Sequence, residues 1–324
     1  MKKQMMKRIG VGMSMLMVVG FLTGCVDAGA TGEAAVKPIE IGITQIVEHP
    51  SLDEIRQGII DQLEVEGYRD GQEIHIDFQN AQGAIENTQM IAQEFQSQKK
   101  DVIVAITTPS AQAMKNVIEG IPVVFSAVTD PEGAGLIGPG MTGVSNLTPI
   151  ESQFDLFQSL LPEVKTIGMV YNTAEANSVF LMERAKEMAE ELGYKMEVAV
   201  ITSTNEVGLA LDQLLPKVDM LYSVQDNMVA SAFPVVVQKA NEAGVPIIGT
   251  VQAFVDQGAI AMDNASDYEV GIQTGKMVAR ILKGTDVDEI PFETTQNTAF
   301  TINEEALAFF SITLPEELEG RLGE

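Results

Sequence analysis

Short apolar runs alternate with amphipathic stretches along this chain in two successive series. That order restricts the possible folds more than any other feature of the sequence. Residues 39–44 alternate as a strand does, and 50–67 place Leu52, Ile55, Ile59 and Leu63 at helical spacing up to Gly67. Residues 73–78 are strand-like and 86–98 helical. Residues 101–106 form a continuous apolar run, as expected of a strand covered on both faces of a parallel sheet. A helix over 109–119 and a strand over 122–126 close the first series. The second follows a short connecting strand at 143–145. It predicts helices over 149–161, 176–192, 205–215 and 229–243, and strands over 166–171, 195–200, 219–223 and 246–249. Two such series mean two doubly wound α/β lobes with parallel sheets. A strand-like piece at 259–262, a long helix over 268–282, a strand at 300–302 and a helix over 304–310 follow. These either extend the second lobe or return the chain to the first, and periodicity leaves both open.

The N-terminus sets the expected compartment. Lys2, Lys3, Lys7 and Arg8 precede an apolar run over 9–22 that is too short for a comfortable membrane span. Leu22-Thr23-Gly24-Cys25 then reads as a bacterial lipoprotein signal, with Cys25, the sole cysteine, as the lipid attachment site. The expected division is a signal peptide over 1–24 and a tether over 25–37, small, polar and aperiodic. A lone acylated cysteine leaves neither a disulfide framework nor a free thiol nucleophile. The formal charge is −26, and losing the four basic residues of the leader makes the mature chain more negative still. No phosphate-neutralising surface is available, which excludes nucleic acid as a partner.

Ligands of parallel α/β sheets bind outside the carboxyl ends of the strands. The strand ends of both series carry small hydroxyl and amide side chains. In the first these are Thr44-Gln45 with His49, Thr107-Thr108-Pro109-Ser110, and Ser126 to Asp130. In the second they are Tyr171-Asn172 with Asn177-Ser178, Ser223 to Asn227, and Thr250-Val251-Gln252. One such loop is ordinary; the same chemistry at the same edge of both series points to a shared cleft. Thr108 is placed to cap the helix that follows it, with Pro109 at the first helical position. The free N–H groups of that turn suit a carboxylate. Asp226 could take a ligand ammonium or cap the helix that follows. No Lys or Arg occurs in these loops.

Motifs for a serine hydrolase, a zinc protease and a phosphate-binding loop are absent from the sequence. Two histidines and no free thiol leave little for zinc, and no cofactor is expected. Gly133 to Gly138 matches the dinucleotide fingerprint literally, but Pro139-Gly140 follows where a helix should run, so a surface loop is expected there.

Four stretches, GITQIVEHPSLD at 42–53, QNAQG at 79–83, AITTPSAQ at 105–112 and PVVFSAVTDP at 122–131, resemble a known family. YN at 171–172 with EANS at 175–178, DN at 226–227 with ASAF at 230–233, and residues 271–284 continue the likeness. The chain is similar over about 38–315 to the ABC-transporter substrate-binding proteins that include the tryptophan- and tyrosine-binding lipoproteins. The resemblance implies a type I periplasmic-binding-protein fold, in which two lobes joined by a three-crossover hinge close on a ligand. It implies lobes of 38–146 plus 265–295 and of 147–264 plus 296–324. It also implies an amino-acid-like, aromatic ligand, an ABC permease as partner, a monomer, and no enzymatic activity.

The positions carried over are Gln45, His49, Thr107, Thr108, Ser110, Ser126, Asn172, Ser178, Asp226 and Asn227, to which Gln252 is added as a strand-end residue. Thr250-Val251-Gln252 and Met262-Asp263-Asn264 depart from the family's pattern at the expected cleft edge and bear on ligand identity. The expected pose docks a carboxylate near Thr108 and Ser110, with the ammonium near Asn172, Asp226 and Gln252. Two other readings fit the same residues: an ectodomain that hands its liganded state to a signalling receptor, and a surface hydrolase using paired carboxylates.

Overall fold

The computed structural model describes residues 37–295 and 298–322. The leader, Cys25 and nearly all of the tether lie outside the described residues. Residues from Pro38 onward form one compact unit.

The first series folds as β1 (Ile39–Gln45), α1 (Pro50–Val65), β2 (Ile74–Asn80), α2 (Ile85–Gln98), β3 (Val102–Ile106), α3 (Thr108–Val117), β4 (Val123–Val128) and β5 (Met141–Ser145). The second gives α4 (Ile150–Leu160), β6 (Thr166–Asn172), α5 (Ala176–Leu192), β7 (Lys195–Ile201), α6 (Val207–Leu214), β8 (Met220–Ser223), α7 (Asn227–Ser231), α8 (Phe233–Ala243), β9 (Ile247–Gly249), α9 (Gln252–Gln257) and β10 (Ala261–Asn264). The chain ends with α10 (Asp267–Leu282), β11 (Glu293–Thr294), β12 (Ala299–Ile302), α11 (Glu304–Phe309) and α12 (Glu316–Glu319).

The strands form two six-stranded sheets, ordered β2-β1-β3-β4-β5-β11 and β7-β6-β8-β9-β10-β12. Every pair in the first is parallel. In the second only the edge strand β12 is antiparallel. All five residues of β3 are buried, as its unbroken apolar run requires. Phe95 and Phe125 fill the first lobe, while Phe154, Phe157 and Tyr222 pack edge-on or tilted in the second.

The chain passes between the sheets three times: after β5, after β10 and after β11. The end of the chain therefore returns, the alternative that periodicity left open. Helix α10 lies along α1 in the same direction, and the two backbones almost touch. A Cβ on Gly271 would lie 2.2 Å from the Ile55 carbonyl oxygen, and one on Gly58 2.4 Å from that of Tyr268. Only glycine permits so close a crossing.

Two expected elements differ in detail. The helix expected over 229–243 is divided at Ala232, because Pro234 in the first turn of α8 has no N–H to continue the preceding turn. The helix expected over 205–215 opens as a 3-10 turn at Thr204–Glu206. Gly133 to Gly138 lie in the loop between β4 and β5, which opens with a turn.

Candidate functional site

In each sheet the strand order reverses beside the first strand of its series, between β1 and β3 and between β6 and β8. Such reversals leave a crevice at the carboxyl ends of the strands. A narrow cavity lies where the two crevices face each other. The first lobe contributes His49, Ser51, Leu52, Ile55, Thr107, Ala127 and Thr129. The second contributes Asn177, Gln225, Asp226, Asn227, Ala230, Val251 and Phe254. Asn146 and Asp267 stand at the first and second crossovers. Leu52, Ile55, Ala230, Val251 and Phe254 supply an apolar part, and no Lys or Arg lines the space.

Five buried polar side-chain atoms around this cavity have no hydrogen-bond partner: Ser51 Oγ, Thr107 Oγ1, Asn146 Oδ1, Asn177 Oδ1 and Asp267 Oδ2. Buried polar atoms are normally paired, so five orphans around one space point to a bound polar molecule. Thr108 Oγ1 and Ser110 Oγ, buried in the first turn of α3, are likewise unpartnered.

The cap of α3 differs from the expected one. Thr107, not Thr108, occupies the cap position, with φ 75° and ψ 163°, and makes no side-chain capping bond. A β-branched residue with positive φ is strained. It is held there by its N–H donating to the Ser126 carbonyl, at 2.8 Å. Pro109 and its neighbours leave the first N–H groups of α3 without upstream carbonyls.

Of the residues singled out in the sequence, His49, Thr107, Asp226 and Asn227 line the cavity. The others support it or lie apart. The Gln45 side chain donates to the Val47 carbonyl and Asp53 and accepts from Arg56. Ser126 bonds Thr274 of α10 at 2.7 Å. Asn172 donates from its side chain to Glu175. Ser178, fully buried, lies against Asn177. Gln252 bonds Asp256 at 2.7 Å and does not reach the cavity. Asp263 is also turned away from the cavity, its carboxylate paired with Arg321 at 2.7 Å.

Asp226 is the cap of α7. One carboxylate oxygen accepts from the N–H groups of Met228 and Val229 at 3.0 and 2.9 Å. The other accepts from the Asn172 N–H at 2.6 Å. Both oxygens are thus occupied by backbone donors. Behind it lies Glu175, which the sequence showed only as part of a motif. Its carboxylate accepts from the side chains of Asn172, Asn177 and Asn227. Burial raises both carboxyl groups, and the neighbouring Asp226 charge helps push Glu175 up to about 7. Asn227, anchored on Glu175, turns its carbonyl oxygen toward His49 Nε2 of the opposite lobe, at 3.4 Å. Burial pushes the His49 imidazole down to about 4, against the pull of the Asn227 hydrogen bond and the Asp53 charge.

Ser51, Thr129, Asn146, Asn177 and Asp267 escaped selection from the sequence. Asn177 and Thr129 stood in the right loops. Asp267 had no such signal, because it opens a helix that follows a crossover rather than a strand of its own lobe. Among the described residues, no cluster of His, Cys, Asp and Glu could hold a metal ion, and no helix is long and apolar enough to cross a membrane.

Two α/β lobes, three crossovers and a polar-rimmed cavity between facing sheet edges define a type I periplasmic-binding-protein fold built to enclose a small molecule. The family described as ABC transporter substrate binding protein matches residues 40–322, and the chain belongs to that family. Its members bind substrates, so this is a binding protein and not an enzyme. The chain is 39% identical over 302 residues to a tyrosine-binding protein of Clostridioides difficile, covering 89% of this chain and 88% of the relative. An ABC domain from Streptococcus pneumonia solved in complex with L-Trp is 34% identical, with a TM-score of 0.85 over 89% of this chain and 99% of that one. The ligand-free, open structure of a substrate binding protein with adhesive properties from Clostridium difficile is 39% identical. It superposes with a TM-score of only 0.65 over 87% of this chain and 97% of that one.

Proposed function

We propose that this protein is a lipid-anchored, extracytoplasmic receptor that captures an aromatic amino acid between its lobes and presents it, as a monomer, to an ABC permease. The observation that carries this reading is the set of five unpartnered polar atoms around one part-apolar cavity. A zwitterion with an apolar side chain satisfies such a lining: its charged ends take the orphans, and Leu52, Ile55, Val251 and Phe254 cover the ring. The carboxylate docks where Thr107, Thr108 and Ser110 surround the start of α3. There the N–H groups and the positive end of the helix dipole replace the absent cation.

The relatives favour the same ligand class, since one is named for tyrosine and another holds L-Trp. They also favour a closing motion. The more similar sequence, captured open, superposes worse than the less similar one with ligand bound. In this reading the bodies that move are 38–146 with 265–295 and 147–264 with 296–324. Cys25 carries the lipid.

Desolvating one aromatic side chain supplies about 2–3 kcal/mol, whereas micromolar binding needs about 8 kcal/mol. The polar contacts must supply much of the difference. Thermal shift and calorimetry of the purified full-length protein against tryptophan, tyrosine, phenylalanine, nucleosides and sugars test the proposal. The expected outcome is a selective rise in melting temperature with an aromatic amino acid. A response confined to nucleosides or sugars would discard the ligand class.

A further inference from the structure

Asp267 is the first residue of α10 and is only 4% exposed, yet its Oδ2 has no hydrogen-bond partner. The neighbouring Ser51, in the first turn of α1, is equally buried, and its hydroxyl is also unpartnered. Both line the cavity. The Gly58–Gly271 crossing fixes the two helices side by side and parallel, so their N-terminal ends meet at one wall. Two positive helix ends favour the ionised form of the carboxylate between them. Burial opposes it, pushing the group up to about 7 against the pull of Ser51. The charge retained there has no counter-ion, because no cationic side chain faces the cavity. Asp226, the other acid at the cavity, is already held by three backbone N–H groups. A buried carboxylate with an unpartnered oxygen, facing a cation-free space, is complementary to a cation brought by the ligand.

We infer that Asp267, with Ser51 beside it, receives the ammonium group of the ligand and makes a primary amine a requirement for tight binding. The inference rests on the amino-acid reading of the cavity and amends the expected pose. Both charged ends of the ligand are held by the first lobe, the carboxylate at the start of α3 and the ammonium at the start of α10. The second lobe then covers the side chain with Ala230, Val251 and Phe254.

The test is calorimetry of the full-length protein and of Asp267→Asn with three probes: tyrosine, tyramine, which lacks the carboxylate, and 3-(4-hydroxyphenyl)propionate, which lacks the amine. Asp267→Asn should weaken tyrosine and tyramine at least tenfold and change the amine-free acid less than twofold. Its melting temperature without ligand should equal or exceed that of the wild type, because the carboxylate removed is a buried charge with no cationic partner; this separates lost binding from lost folding. Tyrosine and tyramine binding within twofold of the wild type would overturn the assignment. So would the absence, in both proteins, of measurable binding by either amine. A wild type that binds tyramine but not tyrosine, with tyramine lost in Asp267→Asn, would sink the amino-acid reading and leave the ammonium site standing.

Discussion

The division of labour among the acids at the cleft follows from which donors each one meets. Asp226 meets three backbone N–H groups and so holds α7 to the end of β6. Replacing Asp226 with Asn puts an NH2 group against at least one of those donors. We expect a loss of about 1–3 kcal/mol, the cost of a broken cap and an unsatisfied buried N–H, read from urea unfolding of ligand-free protein. Unchanged stability with a large loss of affinity would show instead that Asp226 touches the ligand. His49 provides a pH test. Its imidazole is held near 4 where it meets Asn227 across the cleft, and it returns toward about 6.5 when an opening cleft admits water. Closure then expels a proton at pH values below about 6.5. Affinity should fall as the pH drops from there toward 4, by up to about 3 kcal/mol from this group. Titrating ligand at several pH values checks this: His49→Gln should flatten the profile, and a profile of unchanged slope would remove His49 from the linkage.

The helix pair α1 and α10 sets the accuracy with which the first-lobe wall is built. A methyl group at Gly271 would collide with the backbone of α1, which cannot yield as a side chain tip does. Gly271→Ala should therefore destabilise the fold by about 1–3 kcal/mol and loosen the wall bearing Ser51 and Asp267. A urea midpoint equal to that of the wild type would mean that the crossing has slack. This contact also shows what the sequence could not tell. Periodicity places both helices to within a few residues, because each buries one face. It says nothing of their meeting, since residues 55 and 271 are distant in the chain. The break at Ala232 was foreshadowed by Pro234, a local signal outweighed by the regular apolar spacing around it.

For the molecule as a whole, the two parallel sheets were legible because buried parallel strands leave apolar runs that few other structures tolerate. The family likeness resolved the return of the chain. The cavity was legible only in part. Strand-end logic reaches His49, Thr107, Asp226 and Asn227. It also gathers Gln45, Ser126, Asn172 and Ser178, whose side chains are engaged by those of Arg56, Thr274, Glu175 and Asn177 and do not line the cavity. Sequence shows where a polar side chain sits, not whether its hydrogen-bonding capacity is already taken. That capacity is what separates Asp226 from Asp267.

The three passages of the chain between the sheets also bear on biogenesis. The first sheet receives its last strand, β11, only at Glu293–Thr294, and α1 gains its partner only when α10 has been made. The second sheet waits for β12 at Ala299–Ile302. A nascent chain halfway through translation thus holds most of one lobe's residues but can complete neither. Both lobes mature together, near the end of synthesis. For the same reason neither can be exchanged between relatives as one contiguous cassette: a graft that respects the architecture needs three junctions.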